Sequence, residues 1–276
     1  MTTTLITGVP RSGTTLVCAC LNTLPNCVAL AEPMRVPVHG DVERAIQEIV
    51  TFAETTRTCI LLEKLAPSLT INGMIADNFF EDTTVDGSPR RHIAKPINLE
   101  IDKPLDTNFH FFIKHPAIFT ALAPRLEKEF PLYAIVRHPI AALASWQSVD
   151  LPVRNGRLPV AEAYVPELRE RLDRIDNSLG RQIALLQWIF QVYRRLPRER
   201  VLTYESIVDD PDVALRPLSG SSASISHTVR SIDLQTRYPN VDFRSIAEAL
   251  LPIETDVEPF YPYFAASLRP YIGANK

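Results

Sequence analysis

The stretch LITGVPRSGTTLVCACL, residues 5–21, decides the fold that we expect for this chain. Residues 2–7 form a short β-branched run, which predicts a buried strand. A turn from Gly8 to Gly13 follows, and residues 13–24 are predicted to form a helix. A strand, a Gly-x-x-x-x-Gly turn and a helix in this order are typical of a phosphate-binding loop, where backbone N–H groups and the helix N-terminus hold an anion.

This turn lacks the lysine of nucleotide-triphosphate enzymes. Gly8, Gly13 and Thr15 match the spacing of their loop, but Thr14 stands at the lysine position. Arg11, three residues earlier, can supply the missing charge, because its guanidinium group can fork onto phosphate or sulfate oxygens. An ordinary glycine turn before a helix is the alternative, and the polar donors gathered in the loop argue against it.

The bulk composition limits the classes of protein to which the chain can belong. It has 276 residues and 46% hydrophobic content, which suffices for one large domain, and we predict a single domain over residues 1–276. A net charge of −3 gives no global basic field, so nucleic acid is not an expected partner. The sequence has no run of 18 apolar residues, so we expect no membrane span.

The four cysteines are Cys18, Cys20, Cys27 and Cys59, and none of them lies in a Cys-x-x-Cys pair. The six histidines do not join them in a zinc pattern, so no metal is expected. We interpret the cysteines as reduced thiols and the N-terminus as lacking a secretion signal, which together favour a cytoplasmic location.

Further apolar runs alternate with helical patterns along the chain. The remaining strands are predicted at residues 26–32, 109–116, 132–139 and 200–207. The remaining helices are predicted at residues 41–57, 140–149, 167–196 and 242–251, with another up to about residue 130 that Pro124 interrupts. This alternation predicts an α/β fold, a three-layer sandwich with a mostly parallel central sheet. Residues 65–108 and 150–166 lack such a pattern and are predicted as insertion or lid loops.

Polar side chains gather at the carboxyl ends of the predicted strands, where open parallel sheets bind ligands. Besides the glycine turn, these ends carry Glu32, Lys114, His115, Arg137 and Tyr204. No apolar strand ends in the aspartate that a magnesium-dependent nucleotide enzyme would need. The strand predicted at 132–139 carries Arg137 there instead, and a cation suits a second phosphate better than a metal.

Three segments together resemble the sulfotransferases that use 3′-phosphoadenosine 5′-phosphosulfate (PAPS). GVPRSGTTL, residues 8–16, is similar to the loop that binds the 5′-phosphosulfate. VRHPIAALASW, residues 136–146, resembles the element that grips the 3′-phosphate with an arginine and, eight residues later, a serine, which are Arg137 and Ser145 here. LTYESIVDDP, residues 202–211, is similar to a later segment whose tyrosine, here Tyr204, often lies near the adenine.

The three matches follow the family order and span roughly residues 3–211. The first segment, continued through LAEPMR at residues 30–35, most closely resembles the protein-tyrosine and bacterial branches. Two features depart from the family. Arg11 replaces the lysine that many members carry, and the Gly-rich, lysine-containing C-terminal motif of the cytosolic animal enzymes is absent.

The resemblance implies in-line transfer of a sulfuryl group from PAPS to a hydroxyl, with 3′,5′-adenosine bisphosphate as the product and no metal. It implies a cofactor site made of Pro10, Arg11, Ser12, Gly13, Thr14, Thr15, Arg137, Ser145 and Tyr204. Arg11 would sit on the bridging or leaving oxygen, where negative charge grows in the transition state. The amides of residues 12–15 would hold the 5′-phosphate.

A hydroxyl acceptor needs a base, and two residues are candidates. The resemblance to the protein-tyrosine and some bacterial branches places a catalytic glutamate near Glu32, and a carboxylate in a partly dry cleft is expected to have a raised pKa. His115 is the rival, because animal cytosolic members use the histidine of a Lys-x-His segment, although the spacing here is one residue shorter. Strand alternation would turn Lys114 and His115 to opposite sides. Glu32 is the favoured base, and Lys114 would then reach the sulfuryl oxygens.

The acceptor stays open among a sugar, another small metabolite and a peptide, and the loops at 65–108 and 150–166 would shape its pocket. Arg90, Arg91 and His92 could meet an anionic acceptor, but a solvated loop is the favoured interpretation. Two other functions remain as hypotheses, namely a P-loop nucleotide kinase or NTPase and a non-catalytic PAPS-binding protein.

Overall fold

The computed structural model describes residues 3–35, 38–82, 88–227 and 233–273. Over these ranges it has the strands β1 (Thr3–Gly8), β2 (Cys27–Ala31), β3 (Leu65–Thr70), β4 (Lys95–Glu100), β5 (His110–Lys114), β6 (Leu132–Val136) and β7 (Val201–Thr203).

Helices connect and cover these strands. They are α1 (Thr14–Thr23), α2 (Val42–Glu63), α3 (Pro116–Ala121), α4 (Ala123–Leu126), α5 (Pro139–Gln147), α6 (Pro159–Tyr164), α7 (Pro166–Asp173), α8 (Ser178–Tyr193), α9 (Tyr204–Asp209), α10 (Pro211–Ser219), α11 (Leu234–Arg237), α12 (Phe243–Leu250), α13 (Glu254–Val257) and α14 (Phe264–Ile272). Short 3₁₀ turns lie at Pro152–Asn155, Arg198–Arg200 and Leu251–Ile253.

The central sheet has five strands in the order β2-β5-β1-β6-β7, and every neighbouring pair is parallel. Strand β1 lies in the middle, with β5 on one side and β6 on the other. The chain therefore leaves β1 toward one edge of the sheet and later returns to build the other. A crevice forms outside the carboxyl ends of the strands at such a reversal, and the glycine turn after β1 stands there.

Successive residues of a strand point to opposite faces, and both faces of this sheet are buried. On β1, Leu5 belongs to the apolar cluster of one face and Ile6 to the cluster of the other, and both are fully buried. Phe111 and Phe112 on β5 divide in the same way. The first cluster also takes residues from α5, α8 and α12, and the second takes residues from α1 and α10. The prediction of a three-layer α/β sandwich with a parallel central sheet is confirmed.

The segment predicted as a loop at 65–108 contains secondary structure. Strands β3 and β4 pair antiparallel, with Leu65 opposite Glu100 and Thr70 opposite Lys95. The sequence hid this pair because prolines, Pro67 and Pro96, interrupt both strands, and most β4 side chains are exposed, so no apolar alternation marks it.

Three other boundaries differ from the prediction. The loop predicted at 150–166 holds a 3₁₀ turn and α6, and the helix predicted at 167–196 is divided into α7 and α8. The division falls before Asn177, whose side chain accepts a hydrogen bond from the N–H of Gly180 at 2.7 Å and so starts a new helix. The last strand ends at Thr203, because its hydroxyl accepts from the N–H of Ser206 at 3.2 Å and starts α9, so Tyr204 begins a helix.

No helix within the described ranges is long and apolar enough to cross a membrane. The four cysteines are free thiols, and all except Cys59 are buried. Burial raises the pKa of Cys18 and Cys20 to about 12, so these two thiols stay protonated at neutral pH.

Candidate active site

A cavity of about 990 Å³ opens at the carboxyl edge of the central sheet. Most of the predicted site residues line it, namely Pro10, Arg11, Gly13, Thr14, Thr15, Glu32, Lys114, His115, Arg137 and Tyr204. Ser12 and Ser145 are fully buried. The sheet topology explains why these residues lie close together, since they follow or end five parallel strands whose carboxyl ends lie at one edge of the sheet.

The loop between β1 and α1 has the shape of an anion-binding turn. Gly13 is the N-cap of α1 and has a φ of 89°, a left-handed conformation that glycine adopts without steric cost. Gly8 is equally constrained, because a Cβ atom there would lie 2.5 Å from the carbonyl oxygen of Ile135. The N–H groups of Gly13, Thr14 and Thr15 precede or begin the helix, so the helix offers them no acceptor.

Hydrogen bonds to neighbouring elements hold this loop in place. The hydroxyl of Ser12 donates to the carbonyl of Ile135 at 2.7 Å, and Trp146 Nε1 donates to the carbonyl of Pro10 at 2.6 Å. The N–H of Ser12 donates to the carbonyl of Val9 at 3.0 Å, so this amide is already engaged within the loop. Ser12 therefore stabilises the turn, and the N–H groups of the next three residues have no backbone acceptor among the described residues.

Arg11 extends from the loop along the cavity wall. Its Nε donates to Ser145 Oγ at 3.3 Å, its Nη2 donates to Asn78 Oδ1 at 3.0 Å, and its guanidinium lies 4.4 Å from the centre of the Phe80 ring. Burial, together with the neighbouring guanidinium groups of Arg90 and Arg137, lowers the pKa of Arg11 to about 10. Arg11 thus stays charged at neutral pH in a region that is already positive.

Arg137 lies beside it with an unused donor. Its Nη1 donates to the backbone carbonyl of Arg11 at 3.3 Å, and its guanidinium stacks 4.5 Å from the centre of the Tyr204 ring. Its Nε is buried without a hydrogen-bond partner among the described residues. Buried donors in native proteins nearly always have a partner, so this nitrogen indicates a ligand position.

Two more arginines, Arg90 and Arg237, line the cavity and act electrostatically on Arg11. Arg90 is buried, and its Nη2 donates to Ser148 Oγ at 2.8 Å. Within the described part of the chain, none of these four guanidinium groups forms an ion pair with a carboxylate. We call Arg11, Arg90, Arg137 and Arg237 the arginine cluster. Four guanidinium groups without a paired carboxylate suit a ligand with several anionic groups.

Tyr238 stands inside the arginine cluster and is nearly fully buried. Burial acts to raise the pKa of this phenol, but Arg137, the Ser145 side chain, Arg90 and Arg11 together outweigh it, and the pKa is lowered. The cluster therefore already stabilises partial negative charge on one protein oxygen.

The sequence analysis did not identify Arg237 and Tyr238, and it favoured a solvated loop for Arg90. The backbone N–H of Arg90 donates to the carbonyl of Ser148 at 2.9 Å, and the arginine is buried in the cavity wall. Arg91 is exposed and forms an ion pair with Glu81 at 2.7 Å, as a solvated loop predicts. No periodicity or motif in the sequence marked Arg237 and Tyr238.

The cavity lining also contains an ion pair. Lys114 is buried, and its Nζ donates to Glu32 Oε1 at 2.5 Å and to Thr15 Oγ1 at 3.2 Å. Burial acts to raise the pKa of Glu32, but Lys114, His115 and His92 outweigh it and lower the pKa to about 2. The expectation of a raised pKa was therefore wrong, because the ion pair was not part of the sequence argument.

His115 also reaches the cavity, as the N-cap residue of α3. Strand β5 ends at Lys114, so strand alternation does not extend to His115, and both side chains line the same cavity. The His115 ring lies 5.8 Å from the ring of Phe119, and its Nδ1 is buried without a partner among the described residues. Burial lowers the pKa of His115, so the ring is neutral at pH 7.

No group of three or more His, Cys, Asp or Glu residues that could hold a metal occurs within the described ranges.

Comparisons with known proteins add little to this geometry. No protein-family model matches the sequence, and no curated protein does either. Among solved structures, the chain is similar to one described as "Sulfotransferase Domain from the Curacin Biosynthetic Pathway", with 15% sequence identity, 99% of this chain and 98% of that chain covered, and a TM-score of 0.36. A similarity of this degree assigns neither an activity nor a ligand to this chain.

Proposed function

We propose that this protein is a sulfotransferase that moves a sulfuryl group from PAPS to a hydroxyl of an acceptor. One observation carries the proposal: a single cavity is lined both by the arginine cluster, which forms no ion pair with a carboxylate among the described residues, and by the Glu32–Lys114 pair. The arginine cluster suits a nucleotide with two separate anionic groups. The pair offers a carboxylate that lines the same cavity. The sequence segments that resemble PAPS-dependent sulfotransferases lie on the same cavity.

The residues present fit such a donor. The unpartnered Nε of Arg137 and the free N–H groups after Ser12 supply donors at two distinct positions. The loop amides and Arg11 would hold the 5′-phosphosulfate, while Arg137 and Ser145 would hold the 3′-phosphate. Arg90, Arg237 and Tyr238 would complete the second position in place of the missing C-terminal motif. Tyr204 would contact the adenine.

When bound, PAPS supplies an activated sulfuryl group on a mixed anhydride. Arg11 would supply N–H donors to the leaving oxygen, where negative charge grows, and a preorganised donor of this kind contributes about 3–4 kcal/mol to the transition state. Lys114 Nζ has three N–H donors and uses two of them within the described residues. The third can contact a sulfuryl oxygen without breaking the ion pair.

Glu32 would take the proton of the acceptor hydroxyl. Its Oε1 accepts from Lys114, and its Oε2 has no hydrogen-bond partner among the described residues. With a pKa of about 2 it is fully ionised at pH 7 and can accept a proton, but it is a weaker base than a carboxylate of ordinary pKa. A neutral His115 is the second candidate, and it offers a buried ring nitrogen in the same cavity.

Ligand-dependent unfolding tests the proposal. A saturating concentration of 3′,5′-adenosine bisphosphate, about 100-fold above its Kd, should raise Tm by about 5 °C or more, and ATP with magnesium should not. The reverse pattern would replace the proposal with a nucleotide kinase or NTPase.

Turnover with labelled PAPS then distinguishes the two candidate bases. Glu32→Gln should abolish turnover and leave bisphosphate binding intact, whereas a loss of turnover confined to His115→Asn would assign the base to His115. Bisphosphate binding with no turnover in a broad acceptor screen would indicate a non-catalytic binding protein.

A further inference from the structure

We infer that the acceptor is an alcohol or phenol with an apolar skeleton, bound against the cavity wall next to Glu32. The inference rests on the proposed function, because it names the substrate class of the same site. From the sequence, the acceptor could be a sugar, another small metabolite or a peptide. The residues that line the cavity favour one of these acceptor classes over the others.

One wall of the cavity is apolar and comes from two segments. Leu151, Leu158 and Val160 belong to the segment 150–166, and Ala117 belongs to the first turn of α3. All four side chains are partly exposed, and they line the cavity. We call these four residues the apolar wall.

The apolar wall adjoins the candidate bases. Helix α6 packs on α3, which begins directly after His115, so the wall continues from that residue. Leu151 packs against the cluster of Ala31, Phe79 and Phe80, and Ala31 is the residue before Glu32. A hydroxyl presented to Glu32 would therefore extend the rest of its molecule over aliphatic and aromatic carbon.

The charged groups beside this wall are already assigned. Glu32 and Lys114 pair with each other at 2.5 Å. Arg11, whose guanidinium lies 4.4 Å from the centre of the Phe80 ring, belongs to the arginine cluster that the proposed function assigns to the donor.

The lining therefore disfavours two of the three acceptor classes. An acidic peptide or a sulfated sugar needs unpaired cations, and the proposed function assigns those of the arginine cluster to the donor. A saccharide buries several hydroxyls, each of which needs a hydrogen-bond partner, and the apolar wall offers none from its side chains. Carbon–carbon contact is what this wall provides.

Calorimetry on the protein saturated with 3′,5′-adenosine bisphosphate tests the inference. We expect 4-butylphenol to bind at least tenfold more tightly than methyl β-glucopyranoside or a tyrosine peptide flanked by aspartates. Its binding should show a negative heat-capacity change, the mark of buried apolar surface. Tighter binding of the glucoside or the peptide, or a heat-capacity change near zero for the phenol, would overturn it.

A matched pair of variants locates the contact. Val160→Thr replaces a methyl by a hydroxyl of the same shape on the apolar wall and should weaken 4-butylphenol about fivefold while leaving bisphosphate affinity unchanged. Val213→Thr makes the same change in the first turn of α10, where Val213 is 59% exposed, and should alter neither affinity. Equal phenol affinities in the two variants would contradict the assignment.

The two levels of inference fail separately. If 3′,5′-adenosine bisphosphate does not bind, the proposed function fails, whatever the phenol does. If the bisphosphate binds and the glucoside is preferred to the phenol, the sulfotransferase proposal survives and the apolar acceptor is refuted.

Discussion

The Glu32–Lys114 ion pair leads to a prediction about stability that is independent of any ligand. Glu32→Gln keeps the shape of the side chain and its acceptor oxygen but removes the charge opposite Lys114. We expect this variant to be less stable than the wild type at pH 7, and the difference to shrink in acid. The cause is that a buried ammonium group loses its counter-ion.

The magnitude follows from the pKa of Glu32, which is lowered from 4.5 to about 2. A lowering of this size corresponds to about 3 kcal/mol of stabilisation when no solvent screens the pair. The Glu32 side chain is 35% exposed, so screening reduces the expected contribution to about 1–2 kcal/mol. Because the folded pKa lies below the unfolded value, the contribution is fully present above pH 4.5 and is lost as the pH falls toward 2.

Urea unfolding of both proteins from pH 7 down to pH 3 measures this difference. The control is Glu248→Gln, which removes the exposed pair of Arg244 and Glu248 at 2.9 Å and should cost about 0.5 kcal/mol or less. A double-mutant cycle with Lys114→Met should give a coupling of about 1–2 kcal/mol at pH 7. A difference that does not change between pH 7 and pH 3, or a coupling no larger than the control effect, would refute the reasoning.

Three further changes test the loop and the arginine cluster. Arg137→Ala should weaken 3′,5′-adenosine bisphosphate about tenfold or more and adenosine 5′-phosphosulfate much less, since only the first has a 3′-phosphate; equal losses in calorimetry would remove its assigned role. Gly13→Ala should lower stability by about 1–2 kcal/mol, because the φ of 89° is unfavourable for alanine and the new Cβ would lie 2.6 Å from the Tyr204 ring; an unchanged Tm would contradict this. Trp146→Phe should cost about 1–3 kcal/mol in urea unfolding, because the carbonyl of Pro10 loses its donor; a cost near zero would mean that this bond does not hold the loop.

The sequence was sufficient to predict the parts of the site that follow directly from strand order. Glu32, Lys114 and Arg137 each come immediately after a short apolar strand, or at its last residue, so parallel pairing alone carries them to one edge. The glycine turn was equally predictable from its Gly-x-x-x-x-Gly spacing. In the structure, a side chain at Gly8 or Gly13 would collide with neighbouring atoms, which explains the two glycines.

The arginine cluster could not be predicted in full, because Arg90 depends on pairing between distant segments. Arg90 joins the cavity through backbone bonds to the segment after α5, where Ser148 accepts its N–H at 2.9 Å and Asp150 donates to its carbonyl at 3.0 Å. Those contacts join residues about 60 positions apart in a region whose prolines and exposed strand gave no periodic signal. A local pattern cannot distinguish such an arginine from a solvated one.

The sign of the Glu32 pKa shift shows a related limit. Burial alone raises the pKa of a carboxylate, and this was all that the sequence suggested. Lys114 lowers this pKa instead. It is 82 positions away in the chain and lies beside Glu32 because β2 pairs with β5. Which effect wins depends on a distance of 2.5 Å that strand register sets and sequence spacing does not.

The backbone at Arg11 and Glu32 gives an independent reason to regard these two residues as functional. Both have a left-handed conformation, with φ of 69° and 47°, which costs about 1–2 kcal/mol for a residue with a side chain and almost nothing for glycine. Each occupies the turn after a buried strand, so glycine would fit the backbone better at both positions. Glycine would also remove the guanidinium and the carboxylate that line the cavity. A backbone cost at two residues that meet in one cavity indicates that their side chains are needed there, and the inference runs from the observed strain to the function.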